Sequence, residues 1–274
     1  GRRSGGFALT YSTIASIIKY PYSSLSAQGK NKFGFFATEE GTIREVATEL
    51  GLKQLGEDPL RYARHPLVYL VEAADDICYQ IMDIEDACKL HILGYDEAQG
   101  LIQAFFADDE LREIQHVANT IGDPNERMGY LRSKAINLLV EEAASLFLDA
   151  EEAILAGTFE GSLIQHLSPR LLSAYQACSR TAYAKIYSAR EVVDVELAGH
   201  RIFSALLDQL IEAQMHPDHL YSRTLLSRVS SQYEMNHPTV YGRIQSSLDY
   251  ISGMTDIYAL DLYRRITDMN LPAV

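Results

Sequence analysis

The chain of 274 residues lacks most of the short motifs that announce a familiar chemistry. It has no Gly-x-Ser-x-Gly elbow, no Gly-x-x-x-x-Gly-Lys-Ser/Thr loop and no Gly-x-Gly-x-x-Gly turn. Serine-nucleophile, P-loop and dinucleotide-binding readings therefore lose their main support. Cysteine is scarce: Cys78, Cys88 and Cys178 show no Cys-x-x-Cys spacing and sit in helical, partly apolar runs. Buried free thiols are expected rather than disulfides or zinc ligation, which suits a reducing cytoplasm. Basic residues are in deficit, 24 against 37 acidic, for a formal charge of −13. That balance argues against a broad duplex nucleic-acid surface but leaves room for a local basic pocket around one triphosphate. No apolar run approaches the ~18–20 residues needed to cross a bilayer, and no signal peptide opens the chain. A cytoplasmic protein without a membrane partner is expected.

Strand-type alternation is short and β-branched clusters are rare, so a helical period dominates almost throughout. The spacing predicts helices over 10–19, 42–50, 66–93, 96–106, 109–121, 125–155, 169–193, 194–214, 238–251 and 255–267. A loop over 20–36 and a connector over 157–166 separate them. Pro21, Gly51, Gly94 and the Gly122-Asp123-Pro124 run supply stops, and Pro217 suits a first helical turn. The expected fold class is an all-α, multi-helix bundle. A helical C-terminal subdomain is expected from about Ser168, dividing the chain into 1–167 and 168–274.

The densest chemistry lies between Glu72 and Asp86, where six carboxylates fall in fifteen residues with no Lys or Arg before Lys89. Val71, Ala74, Ile77, Cys78 and Ile81 recur at three- and four-residue intervals, which predicts a helix with those residues on its apolar face. On it Asp75, Tyr79 and Asp83 stand at i, i+4 and i+8. Each step overshoots a turn by about 40°, so the three make one slanted stripe. An acid, a phenol and an acid in line suit a site that holds a cation and a sugar. A purely solvated face would interleave Lys or Arg for i,i+4 pairing.

The run Glu72-Ala73-Ala74-Asp75-Asp76-Ile77-Cys78-Tyr79 resembles the second metal-aspartate motif of bacterial dGTP triphosphohydrolases, within the HD-domain superfamily. Three further stretches are similar to that family, in its order. They are Leu9-Thr10-Tyr11-Ser12-Thr13 running into Lys19-Tyr20-Pro21, then 131–137 with Arg132, then 249–256 followed by Tyr258 and Ala259. The resemblance implies an HD-domain-like helical bundle that hydrolyses a deoxynucleoside triphosphate to deoxynucleoside and intact triphosphate. It also implies a divalent metal, and a homo-oligomer is expected.

By the same resemblance Asp75 is a metal ligand, the last of its set, and a carboxylate suits Mg, Mn or Fe alike. Asp76 is the neighbour most easily confused with it, but Asp75 shares a face with Tyr79 and Asp83. Tyr79 is implied to pack on the deoxyribose, and Asp83 to accept from the 3′-OH. Lys19, beside Tyr20, is implied at the polyphosphate. Lys30 and Lys32 stand within reach in a Gly-containing loop, and one of Arg127 and Arg132 is implied at the triphosphate. Plainer readings stand beside these. Lys19 also suits helix-dipole compensation, Lys30 and Lys32 a solvated loop, Tyr79 a half-buried helix position, and the arginines surface ion pairs. His216 and His219 are expected as surface residues.

One part of the superfamily pattern is missing: the chain contains no His-Asp dipeptide. The first His, the His-Asp pair and the general acid–base His are expected upstream of Gly1. The chain then corresponds to the C-terminal two-thirds of a longer enzyme and is inactive alone. A competing reading from another class is a helical regulatory or oligomerisation module, supported by the missing ligands and the amphipathic helices after Ser168.

Overall fold

In the computed structural model, which describes residues 9–26, 32–57 and 59–267, one unit runs from Gly1 to Tyr187 and a second from Ser188 to Val274. The first unit opens with α1 (Tyr11–Ser16), capped by the Thr10 hydroxyl, which accepts from the Thr13 N–H at 3.2 Å. This helix ends before Lys19, short of the predicted 10–19 span. After α2 (Glu40–Glu49) comes an antiparallel hairpin of β1 (Gln54–Glu57) and β2 (Leu60–Tyr62). Leu60 and Tyr62 point inward and Arg61 outward, an alternation too short to stand out from a helical background.

Helix α3 (Pro66–Lys89) starts with a proline in its first turn, where a missing N–H costs nothing. The His65 ring accepts from the Leu67 N–H. Next come α4 (Tyr95–Gln103), α5 (Asp108–Ala118) and α6 (Pro124–Asp149). The Asp123 carboxylate caps α6 by accepting from the N–H groups of Asn125 and Glu126. The predicted 125–155 helix breaks at Ala150, and α7 (Glu151–Leu155) follows. Helix α8 (Pro169–Thr181) passes into a π-helical turn over Ala182–Ile186, and α9 (Arg190–Met215) starts after another break. Neither break carries Gly or Pro, so spacing alone sees no stop.

Within the first unit α3 packs chiefly on α6. Ile77, Ile81 and Ile84 meet Leu131, Ala135 and Leu139, and Leu163 and Leu171 close the layer. Each such side chain contributes about 1.5–3 kcal/mol on burial. The apolar face of α3 differs from the expected one: Val71, Ala74 and Cys78 are exposed, whereas Val68, Ala73, Gln80 and Ile84 are buried. Two sets of i,i+3/i+4 positions one residue apart both fit the sequence, and packing on α6 selects the set that swings inward by about 100°.

The division expected near Ser168 falls later, between Tyr187 and Ser188. Leu171, Ala174, Cys178 and Ala182 all join the first unit's core, which ties α8 to it. In the second unit α9, α10 (Leu220–Leu226), α11 (Val240–Ser252) and α12 (Asp256–Ile266) enclose Leu206, Leu210, Leu225, Tyr250 and Leu262. Pro217 lies in a turn, and α10 begins only at Leu220. All three cysteines are free, but only Cys178 is buried; Cys78 is exposed and Cys88 half-buried. No helix among the described residues is long and apolar enough to cross a membrane.

Candidate functional site

Where α1 ends, the chain turns through Lys19, Tyr20 and Pro21 and runs beside β2 and the 157–161 connector. Together they line a cleft of about 610 Å³. Four cations face it: Lys19, Lys32, Arg61 and Arg64. Tyr20, Tyr22, Tyr69 and Phe159 supply aromatic walls, and the Lys32 ammonium lies 5.8 Å from the centre of the Tyr20 ring. Gly34 lets its strand approach the turn, since a Cβ there would stand 2.1 Å from the Tyr20 carbonyl oxygen. A chain with a charge of −13 has gathered a group of positive side chains in one concavity.

The cations are not equivalent. Glu72 on α3, nearly buried, accepts from the Lys19 ammonium at 2.9 Å and from Arg64 Nη1 at 3.0 Å. Arg64 also donates through Nε to the Lys19 carbonyl at 3.0 Å and through Nη1 to the Gly161 carbonyl at 3.1 Å. It thus ties the Lys-Tyr-Pro turn and the connector to the start of α3. Burial opposes the charge on Lys19, but the hydrogen-bonded Glu72 carboxylate outweighs it and holds the ammonium above its ordinary value. Arg61 carries no side-chain ion pair among the described residues.

The acidic face of α3 adjoins this cleft. Asp76 is half-buried, and burial raises its carboxyl above the usual range, against the pull of Lys19 and Lys32. Asp75 is exposed and makes no hydrogen bond or ion pair among the described residues. One turn on, Tyr79 is 61% exposed, so its ring is open to a ligand. Asp83 accepts a 2.7 Å hydrogen bond from the Tyr187 hydroxyl. Burial raises the Asp83 carboxyl while this bond partly offsets it, and burial together with Asp83 pushes the Tyr187 phenol upward. The π-helical turn stacks Tyr183 edge-on to Tyr187 at 5.3 Å. The Tyr175 hydroxyl donates to the Asp76 carbonyl at 3.2 Å.

The structure thus brings Lys19, Tyr20 and Lys32 together in the cleft and sets Asp75, Tyr79 and Asp83 on the adjoining helix. Lys30 lies outside the described residues. Arg127 and Arg132 line neither feature. Arg127 donates through Nε and Nη2 to the Ile121 carbonyl, and Arg132 pairs with buried Glu85, which also holds Lys89 at 3.0 Å. Sequence reading missed Arg61, Arg64, Glu72 and Tyr187. The 61–64 run, two arginines bracketing a buried tyrosine before Pro66, carried a usable signal, and so did the i,i+4 pair Tyr183 and Tyr187. Nothing local marked Glu72, whose partners arrive from other segments.

Asp75 offers one hard oxygen to a divalent ion. Among the described residues no group of three or more His, Cys, Asp or Glu could hold a metal, so these residues do not form a metal site by themselves.

A family model described as a phosphohydrolase-associated domain matches residues 165–265. A deoxyguanosinetriphosphate triphosphohydrolase-like protein of Pseudomonas aeruginosa (strain LESB58) is 31% identical over 98% of this chain and 62% of its own length. One from Synechocystis is 34% identical over the same shares. The chain is homologous to the dGTP triphosphohydrolase-like proteins. A deoxyguanosinetriphosphate triphosphohydrolase of Yersinia pestis (strain Pestoides F) extends the relationship, at 28% identity over 94% of this chain and 60% of that protein. The resemblance carried by the Lys-Tyr-Pro turn and the α3 acid run is thereby borne out at the level of family. The chain spans about three-fifths of the length of these relatives.

Proposed function

We propose that the full-length protein binds a deoxynucleoside triphosphate across this face and hydrolyses it to deoxynucleoside and intact triphosphate. One observation carries the reading: Lys19, Lys32, Arg61 and Arg64 converge on a single cleft beside the acid stripe of α3, in a chain otherwise strongly acidic. Fixed cations there attract the polyphosphate and offset the charge that develops on the departing triphosphate. Arg64 and Glu72 hold Lys19 in place, so little side-chain ordering remains to be done on binding.

The sugar lies over α3. The exposed Tyr79 ring packs against the deoxyribose face, and Asp83, already oriented by Tyr187, keeps spare lone pairs for a 3′-OH. Asp75 contributes one ligand to a divalent metal (Mg, Mn or Fe), whose other ligands come from outside the described residues. The acid–base group that completes the reaction comes from outside them as well. A homo-oligomer is part of this proposal, supported by the apolar side chains that α9 leaves in solvent, Val195 at 71% and Leu197 at 64% exposure.

The test is triphosphate release from dGTP by the full-length protein. Asp75→Ala should abolish it while circular dichroism and the unfolding midpoint stay near wild type, because removing an exposed acid relieves repulsion. Residual activity above about a tenth of wild type removes Asp75 from the reacting centre.

A further inference from the structure

In the second unit, residues 227–239 join α10 to α11 without regular structure, yet they are pinned from below. The Tyr233 ring meets Tyr250 at 5.3 Å, the Ser246 hydroxyl donates to the Glu234 carbonyl at 2.9 Å, and Arg243 Nε donates to the His237 carbonyl at 2.8 Å. Long connections held this firmly in an irregular path are commonly binding loops. Between this loop and the end of α9 lies a cleft of about 620 Å³, a size that holds a small ligand.

At its base is an unmet hydrogen-bonding need. Gln214 is 2% exposed; its Nε2 donates to the Arg243 carbonyl at 3.0 Å and to the Ser247 hydroxyl, but its Oε1 accepts from nothing. A buried acceptor left unpaired calls for a donor from outside the fold. Arg243 lines the same cleft and donates through Nη1 to the Gln214 carbonyl at 3.1 Å; among the described residues its Nη2 has no partner. A buried acceptor and a free cationic donor are thus held next to each other by mutual backbone bonds. Leu226, Val229 and Met235 give the cleft apolar walls, and Glu234 offsets the charge of Arg243. A polyanion finds no cluster of cations here, in contrast to the cleft of the first unit.

We propose that this cleft binds a neutral heterocycle with a lactam edge, a ring N–H beside a carbonyl oxygen, as in hypoxanthine, guanine, thymine and uracil nucleosides. The ring N–H donates to Gln214 Oε1, the ring carbonyl accepts from Arg243 Nη2, and the apolar walls cover the ring faces. The site lies wholly within the second unit and stands independently of the hydrolytic reading.

Titration calorimetry on the wild-type chain separates the edges: inosine against adenosine, and uridine against cytidine and 3-methyluridine. Inosine and uridine should bind at least about tenfold more tightly than their counterparts, because a site built around one N–H rejects rings without it. Hydrogen exchange at amides 229–236 should slow with uridine and not with 3-methyluridine. Gln214→Met should remove the preference; if that variant fails to fold, the methylated ligand tests the same bond in the wild type. Equal binding of uridine and 3-methyluridine overturns the proposal. So does the absence of both binding and exchange protection at millimolar ligand, which leaves an ordered water as the partner of Gln214.

Discussion

Glu72 is the residue on which the cationic cleft depends. Its carboxylate is 7% exposed and engages two cations from different segments, so its loss leaves Lys19 and Arg64 facing each other without a counter-charge. Glu72→Gln should cost about 1–3 kcal/mol of stability in urea unfolding. In a double-mutant cycle with Lys19→Met the two costs should fall short of adding, and strict additivity would mean that the pair is not coupled. Asp76 works in the opposite sense. Burial raises its folded-state pKa, so its favourable contribution is complete below the unfolded value and is lost as pH rises through the folded one. Asp76→Asn should therefore stabilise the chain at about pH 7 and leave it almost unchanged at about pH 3. An equal shift of the melting midpoint at both pH values would contradict this. At the sugar end, Tyr79→Ala in the full-length enzyme should admit GTP alongside dGTP. Asp83→Asn should lower kcat/KM for 3′-hydroxylated substrates by about ten- to a hundredfold, the loss of one charge-assisted bond, and narrow their lead over 2′,3′-dideoxy-GTP. Unchanged selectivity in both variants would move the sugar off this stripe.

At the scale of elements, the cleft is made by short pieces leaning on one long helix. The connector turns at Gly157, whose φ is +67° and whose Cβ, were there one, would stand 2.8 Å from that of Ala63. Gly157→Ala should cost about 1–3 kcal/mol through left-handed strain and that contact, and it should loosen the wall facing Arg64. An unchanged unfolding midpoint would mean that the connector tolerates another path. Much of α3 was legible beforehand, because Pro66 starts it and an apolar period sustains it. Its rotation was not, since two neighbouring sets of positions fit the same spacing and only α6 distinguishes them. For the same reason Glu72 and Glu85 read as solvated acids: their cations, Lys19 with Arg64 and Arg132 with Lys89, are supplied largely by tertiary packing. The β1–β2 hairpin escaped notice because three or four residues of alternation are too few to register, and with it went Arg61.

Across the whole molecule, a charge of −13 coexists with a pocket of like-signed cations. Such a contrast focuses anions on one place and repels them elsewhere. The composition could state the net sign but not the local exception, which exists only once the Lys-Tyr-Pro turn, β2 and the connector have folded together. The all-α class and the family were legible from periodicity and from four short stretches. The boundary at Tyr187 was not, because α8 carries no sequence mark of the core it joins. That the cleft is a polyphosphate site is tested most directly by titrating the chain with inorganic tripolyphosphate at two salt concentrations. Binding should weaken as salt rises, and Arg61→Ala and Lys32→Ala should each weaken it by about five- to twentyfold. Arg190→Ala, which removes an equal charge from a side chain 90% exposed on α9, should leave it unchanged. Equal losses in all three variants, or no saturable binding, would contradict a polyphosphate site in this cleft.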